Sequence, residues 1–345
     1  MPRIDSEKLA RITALFLEAA GAPVEIAQGV AGVMLRADLA GHHTHGFRMM
    51  LDYVSQISQG IIDPAKRPTV KSHTETRVLV DGQHGFGHVT AQLLVEEVAE
   101  RTKASGVAVG AAINCNHVGR VGEWAEYGAS LGCITFVVVG DAGPTTAPYG
   151  GAEGRWGTNP IAFAAPTDSE SPMLLDFATS AVATGKVAEA HAVKRPIPEG
   201  WVLGQDGRTS TNAIDLFRGG VLLPFGGHKG SALGLMVQML TTNLTGEYTI
   251  EPSRSEMLLI GIDPGVFIER GDFKAATGAT LDRVRTTRPA EGFREVLAPG
   301  DPEQRAKASQ KRRGVRIERE WMDTILRTAA ELDLDPNEIA QIMAA

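Results

Sequence analysis

Residues 76–114, TRVLVDGQHGFGHVTAQLLVEEVAERTKASGVAVGAAIN, decide how the rest of the chain is read. Thr76 to Gly82 holds Val78-Leu79-Val80 before an Asp-Gly turn, the pattern of a short strand. Thr90 to Ser105 carries apolar residues at helical spacing, and Gly106 to Asn114 is an apolar strand. The same alternation continues outward. Val121 to Ser130 reads as helix, Ile134 to Val139 as a wholly apolar strand, and Met173 to Asp176 as another strand. A polar, glycine-rich stretch leads to a helix over Ser231–Leu244 and a strand over Met257–Ile262. Strands alternating with helices predict an α/β fold around a buried central sheet.

The flanks differ in kind. Ser6 is placed to cap a helix with Leu9, Ile12, Leu15, Phe16 and Ala19 at spacings of three and four. Gly21 and Pro23 interrupt, Val24 to Leu39 resumes, and Phe47 to Ile57 closes at Gly60. From Asp301 the chain is helical again, with Asp335-Pro336 opening a last short helix. The expected organisation is a helical domain from 1–74 with 301–345, and an α/β domain over 75–300. No internal repeat or low-complexity segment is present.

Composition narrows the function. Apolar residues make up 43% and charged residues 22% of 345, an ordinary globular balance. A net charge of -7 and a pI near 5.8 give no general attraction to phosphate backbones or anionic lipid. The basic run Lys307 to Arg316 reads as a solvated face, so no nucleic-acid or membrane partner is expected. Cys115 and Cys133 are too few for a disulfide framework. The opening MPRIDSEKLARI lacks the apolar core of a signal peptide, and no run is long enough to span a bilayer. These features predict a cytoplasmic enzyme.

Several polar constellations could carry chemistry. Gly41-His42-His43-Thr44-His45-Gly46-Phe47-Arg48 offers an imidazole for proton transfer and a guanidinium for a carboxylate, with Tyr53 one to two turns on. Neighbouring histidines on a turn diverge and no Cys or Glu stands at ligand spacing, so no metal is expected. The segment reads equally well as a capping turn with solvated rings. Asn116-His117-Val118-Gly119 follows a strand and precedes a helix, where α/β proteins place ligands and helix amides favour a diphosphate. Gly85-Phe86-Gly87-His88 half-matches a dinucleotide fingerprint but lacks its third glycine and the distal acid. Gly157-Thr158-Asn159-Pro160-Ile161-Ala162, Asp176-Phe177-Ala178-Thr179-Ser180 and Gly226-Gly227-His228-Lys229-Gly230 could meet ribose or phosphate. Each taken singly reads as a solvated turn.

In this order, with Ala147-Pro148-Tyr149-Gly150-Gly151 among them, these segments resemble the malate/L-lactate dehydrogenase family of the second type. That family also includes ureidoglycolate, sulfolactate, diketogulonate and cyclic imino acid oxidoreductases. The resemblance runs from about Leu9 to Arg316. It implies a non-Rossmann NAD(P)-binding domain, a homodimer, and NAD or NADP as cofactor. It also implies hydride transfer to or from C2 of a small 2-oxo or 2-hydroxy acid, a small-molecule carboxylate. On matching positions His45 is the catalytic acid/base, with Thr44 standing where the family usually has serine and His117 a further catalytic candidate at the nicotinamide, and Arg48 and Thr158 face the substrate. Tyr53 is a substrate candidate by its place on a helix face similar to that of Arg48. The cofactor falls to His117, Val118, Gly119, Asp176, Ala178, Thr179, Ser180, His228, Lys229 and the turn Pro299-Gly300-Asp301.

The chain departs from the family in three places. Gly-His-His-Thr precedes the catalytic position where Gly-His-Asp-Ser is common. Gly140-Asp141-Ala142 differs at a loop expected near the substrate. Lys186 stands where the imino acid reductases carry an acid, which favours a 2-oxo acid. The alternatives are reduction of a cyclic imino acid such as piperideine-2-carboxylate, or a catalytically silent dinucleotide-binding protein.

Overall fold

The computed structural model describes residues 3–141, 143–246, 255–317 and 319–344; Ala142 of the Gly140-Asp141-Ala142 loop lies outside them. The chain opens with β1 (Arg3–Ile4), α1 (Ser6–Ala19), α2 (Val24–Leu39) and α3 (Met49–Ser58). Asp5, not Ser6, caps α1: its carboxylate accepts the amides of Glu7 and Lys8 at 2.9 and 3.3 Å. An anion there also meets the positive end of the helix dipole. Helix α3 starts two residues later than its periodicity predicts. His43–His45 form a separate 3-10 turn, and the Phe47 amide is held by the Asp38 carboxylate.

The middle of the chain builds β2 (Thr69–His73), β3 (Arg77–Asp81), α4 (Gly87–Ser105), β4 (Val107–Ile113), α5 (Val121–Ser130) and β5 (Ile134–Asp141). Then come β6 (Ile161–Ala165), β7 (Met173–Phe177) and α6 (Thr184–Ala192). A small three-stranded sheet of β8 (Val202–Leu203), β9 (Thr209–Ser210) and, after α7 (Ile214–Phe217), β10 (Val221–Leu222) follows. Helix α8 (His228–Gln238) begins three residues before its predicted start and ends in a π-turn, Met239–Asn243. Last come β11 (Ser255–Ile262), α9 (Arg270–Arg285), α10 (Asp301–Arg313), β12 (Val315–Arg316), α11 (Arg319–Glu331) and α12 (Pro336–Ala344).

Seven strands form one mixed sheet in the order β2-β3-β4-β11-β5-β6-β7, in which β3 and β4 are the one parallel pair. The inserted β11 shows why the sheet is buried on both sides. Met257 and Leu259 pack with Val95 and Val98 of α4 and Trp124 of α5, while Leu258 packs with Val237 of α8. Alternation along one strand thus fills two layers. The helical ends share a separate core: Ile12 and Phe16 meet Val30, Met34 and Met50, with Ile325 and Met343 from the last helices. Strand β1 pairs with β12 across the same region. Among the described residues no helix is long and apolar enough to cross a membrane.

Candidate active site

The turn after α2 is built around a buried carboxylate. Asp38 accepts the Phe47 amide at 2.7 Å and pairs with His43 Nδ1 at 2.9 Å, while its carbonyl accepts Gln310 Nε2 of α10 at 2.6 Å. Gly46 has to be glycine, because a Cβ there would stand 2.2 Å from the Asp38 carboxyl carbon. The three histidines consequently diverge: His43 to Asp38, His42 Nε2 to Glu303 at 3.4 Å, and His45 Nδ1 to the Thr44 hydroxyl at 3.1 Å. Thr44 is also pressed by α6, where a Cβ on Gly185 would lie 2.6 Å from it.

His45 meets His117 across the fold. Their rings stack with centroids 5.6 Å apart and planes 19° from parallel. Behind His117, the Tyr53 hydroxyl lies 2.7 Å from its Nδ1 and 3.5 Å from Nε2 of His88. Tyr53 and His88 are each 1% exposed. Burial holds the Tyr53 phenol far above its usual range, so it stays protonated. Tyr53 therefore supports His117 from the protein interior, where its sequence position had suggested contact with substrate.

Burial also lowers the histidines, His45 and His88 to about 3 and His117 to about 4. For His45, repulsion from the His117 and His42 rings in their protonated forms and from the Arg120 guanidinium adds to that effect. The three rings are thus neutral at pH 7. A histidine neutral in the folded chain but titrating near 6.5 when unfolded contributes stability that is present above pH 6.5 and lost as pH falls toward 4. For His88 the loss is on the order of 2 kcal/mol by pH 5. We expect His88→Gln to flatten the melting temperature against pH between 7 and 5 relative to wild type; parallel curves would contradict this.

The other predicted residues fall into separate groups. Arg48 stands against the C-terminal helices. Its guanidinium lies 5.1 Å over the Trp321 ring, in a cavity of about 380 Å³ whose described lining includes His43, Arg195 and Arg316 but neither His45 nor His117. Val118 is buried and its carbonyl accepts Trp124 Nε1 at 2.9 Å; Gly119, with φ of +76°, lies under the His88 ring. The Asp176 carboxylate accepts the Gly122 amide at 3.0 Å, at the start of α5. Ala178 precedes two hydroxyls that are buried and engaged: Thr179 donates to the Thr158 carbonyl at 3.0 Å and Ser180 to Val182 at 2.8 Å. These hydroxyl hydrogen bonds fasten the loops that carry them. His228 and Lys229 are exposed at the N-terminus of α8, after two glycines of positive φ. Gly300 caps α10 with φ of +99° after Pro299, and Asp301 is held by Arg285 at 2.8 and 3.1 Å.

Sequence reasoning missed Asp38, His88, Glu303 and Arg120. Arg120 is 2% exposed and pairs through Nη2 with Glu126 and Glu123 at 2.8 and 3.3 Å, leaving Nε and Nη1 without partners among the described residues. Its charge acts on both His45 and Asp176, which places the two halves of the site in one field.

The family model described as malate/L-lactate dehydrogenase covers residues 4–326. The L-sulfolactate dehydrogenase of Methanothermobacter thermautotrophicus is 32% identical over 343 residues, 96% of this chain and 98% of that one. The malate dehydrogenase of Pyrococcus horikoshii is 32% identical over 314 residues, 87% of each. The delta1-piperideine-2-carboxylate reductase of Pseudomonas syringae pathovar tomato has a similar structure, with a TM-score of 0.84 at 27% identity over 95% of this chain and 100% of that one.

Proposed function

The chain belongs to the malate/L-lactate dehydrogenase family, and from that premise we propose that it moves a hydride between NADH or NADPH and C2 of a small 2-oxo or 2-hydroxy carboxylic acid. The observation that carries this reading is the stacked His45–His117 pair, two neutral imidazoles at the mouth of a buried hydrogen-bonded array. In the oxidising direction such a ring takes the hydroxyl proton at C2; in the reducing direction it returns one to the nascent alkoxide.

The residues present fit a dinucleotide. Helix α8 begins just after Gly226, where a Cβ would meet nothing within 4 Å, and Lys229 stands exposed in its first turn. The positive end of a helix dipole and a lysine suit a diphosphate. When bound, the nicotinamide supplies or takes up the hydride. Lys229→Ala is expected to weaken NAD(P)H binding by about 1.5–3 kcal/mol. Unchanged affinity in a fluorescence titration would remove Lys229 from the site. We read the sheet, with its single parallel pair, as a cofactor fold other than the doubly wound parallel one.

Two guanidiniums can meet the substrate carboxylate: Arg48, once it leaves Trp321, and Arg120, whose charge already acts on His45. A 2-oxo acid is favoured over a cyclic imine because Lys186, next to the Gly185 that is pressed against Thr44, stands where the imino acid reductases carry an acid. The choice is tested by following nicotinamide absorbance with sulfopyruvate, oxaloacetate, pyruvate and piperideine-2-carboxylate. Turnover of the imine alone would reverse the assignment.

We also read the protein as a homodimer. Helix α9 buries only Leu281 along 16 residues, and Phe267 and Phe293, on either side of it, are 86% and 72% exposed. An arm of this kind needs a second surface. Light scattering should return about twice the 36.7 kDa chain mass; a monomer at micromolar concentration would contradict the dimer.

A further inference from the structure

We propose that Tyr53 and His88 form a proton relay connecting His117 to a second, solvent-side cavity on the opposite side of the α4 N-terminus. The proposal rests on the reading of His45 and His117 as the proton-transfer pair. Its starting point is that the site has a back wall as well as a mouth. His88 sits in the first turn of α4, and its side chain borders a cavity of about 310 Å³ lined also by Glu25, Arg67, Gln92 and Glu96. Those four are exposed, so the cavity communicates with water. His88 Nε2 lies 3.5 Å from the Tyr53 hydroxyl, whose oxygen is 2.7 Å from His117 Nδ1, while His88 Nδ1 has no partner among the described residues. Three groups that can each donate and accept therefore stand in line, with one end at the stacked pair and the other at His88, a residue that borders the second cavity and whose buried Nδ1 reaches cavity water only when the helix start breathes.

The chemistry balances without charging any member. In one state His117 Nδ1–H donates to the Tyr53 oxygen, Tyr53 O–H donates to His88 Nε2, and His88 carries its proton on Nδ1. When His117 Nε2 takes the proton released from C2–OH, its Nδ1 proton passes to Tyr53, the Tyr53 proton passes to His88, and His88 Nδ1–H leaves to water in the cavity. The end state has both rings protonated on Nε2 and every group neutral. Reduction runs the sequence backward and supplies His117 with the proton that reaches the C2 oxygen, directly or through His45. Such a device suits rings that burial keeps neutral, since none has to hold a cation. The longer limb, at 3.5 Å, is the one that has to shorten during turnover, as hydrogen bonds at active sites commonly do. Bound ligands would cover the front of the site, and the relay leaves the proton a separate way out.

The test uses the full-length enzyme and Tyr53→Phe, His88→Gln and the double variant. Each single variant should lower kcat roughly tenfold or more and raise the solvent deuterium isotope effect on kcat, with nucleotide affinity unchanged. The double variant should be no worse than the poorer single one, because both cut the same line. Additive losses with an unaltered isotope effect, or kcat within twofold of wild type in both singles, would overturn the relay. A readout independent of turnover is ¹⁵N NMR of the labelled histidines at pH 7. The single Tyr53 proton requires His88 and His117 to share the same tautomer, both Nδ1–H or both Nε2–H, and Tyr53→Phe should uncouple them. Opposite tautomers in the wild type would refute the relay even if the enzyme proved inactive on every 2-oxo acid, whereas inactivity with matched tautomers would refute only the assigned reaction.

Discussion

Replacing His45 by Asn is expected to lower kcat by about 10²–10⁴ while leaving nucleotide affinity and melting temperature near those of the wild type. The ring is half-buried, touches Thr44 through one nitrogen and stacks on His117, and the turn that carries it is held by Asp38 through His43 and the Phe47 amide. Removing the imidazole thus deletes a proton-transfer group without removing what fixes the backbone. Retention of kcat would show that His117 handles the proton alone. Loss of folding would show that the ring is a structural part of the turn. Thr44→Val should reproduce a weaker version of the same defect, since it removes only the hydroxyl beside Nδ1.

The second large effect is structural. Gly87→Ala should destabilise the protein by about 3 kcal/mol and reduce kcat with it. In an unobstructed helix the same change would stabilise by about 0.5–1 kcal/mol, so the sign itself is diagnostic. At this position a Cβ would lie 2.0 Å from the Asn116 carbonyl oxygen and 2.5 Å from that of His117. Both obstacles are backbone and cannot swing aside. Relief requires moving the loop that presents His117 to Tyr53, which couples the stability loss to catalysis. A denaturant midpoint equal to or above that of the wild type would contradict this packing.

That glycine also illustrates what the sequence reveals. Gly85-Phe86-Gly87-His88 half-resembles a phosphate-binding turn, yet Gly87 serves close contact between α4 and the His117 loop. The helices and strands from Arg77 to Asp141 were legible because each has its own apolar period. Strand β2 was not, since Thr69-Val70-Lys71-Ser72-His73 is mostly exposed and has no alternation to read. Helix α9 was missed because it has no apolar stripe, and β6 because Ile161-Ala162 was read as part of a polar motif. At the site, His45 and His117 were visible as motif residues, but their stacking and the Tyr53 link, 64 residues apart in sequence, are tertiary. Asp38 and Arg120 gave no signal: each is a single charge inside a segment of amphipathic composition, and burial alone reveals it.

The central claim, hydride transfer to C2 beside a neutral histidine pair, is tested most directly by isotope tracing. The enzyme is supplied with NADH or NADPH deuterated at C4 of the nicotinamide and with sulfopyruvate or oxaloacetate, and the 2-hydroxy acid is analysed by mass spectrometry and proton NMR. The account predicts deuterium at C2 of the product from one face of the cofactor, and a hydroxyl proton that exchanges with solvent. Product without deuterium at C2, or no consumption of either nucleotide with any 2-oxo acid, would contradict it.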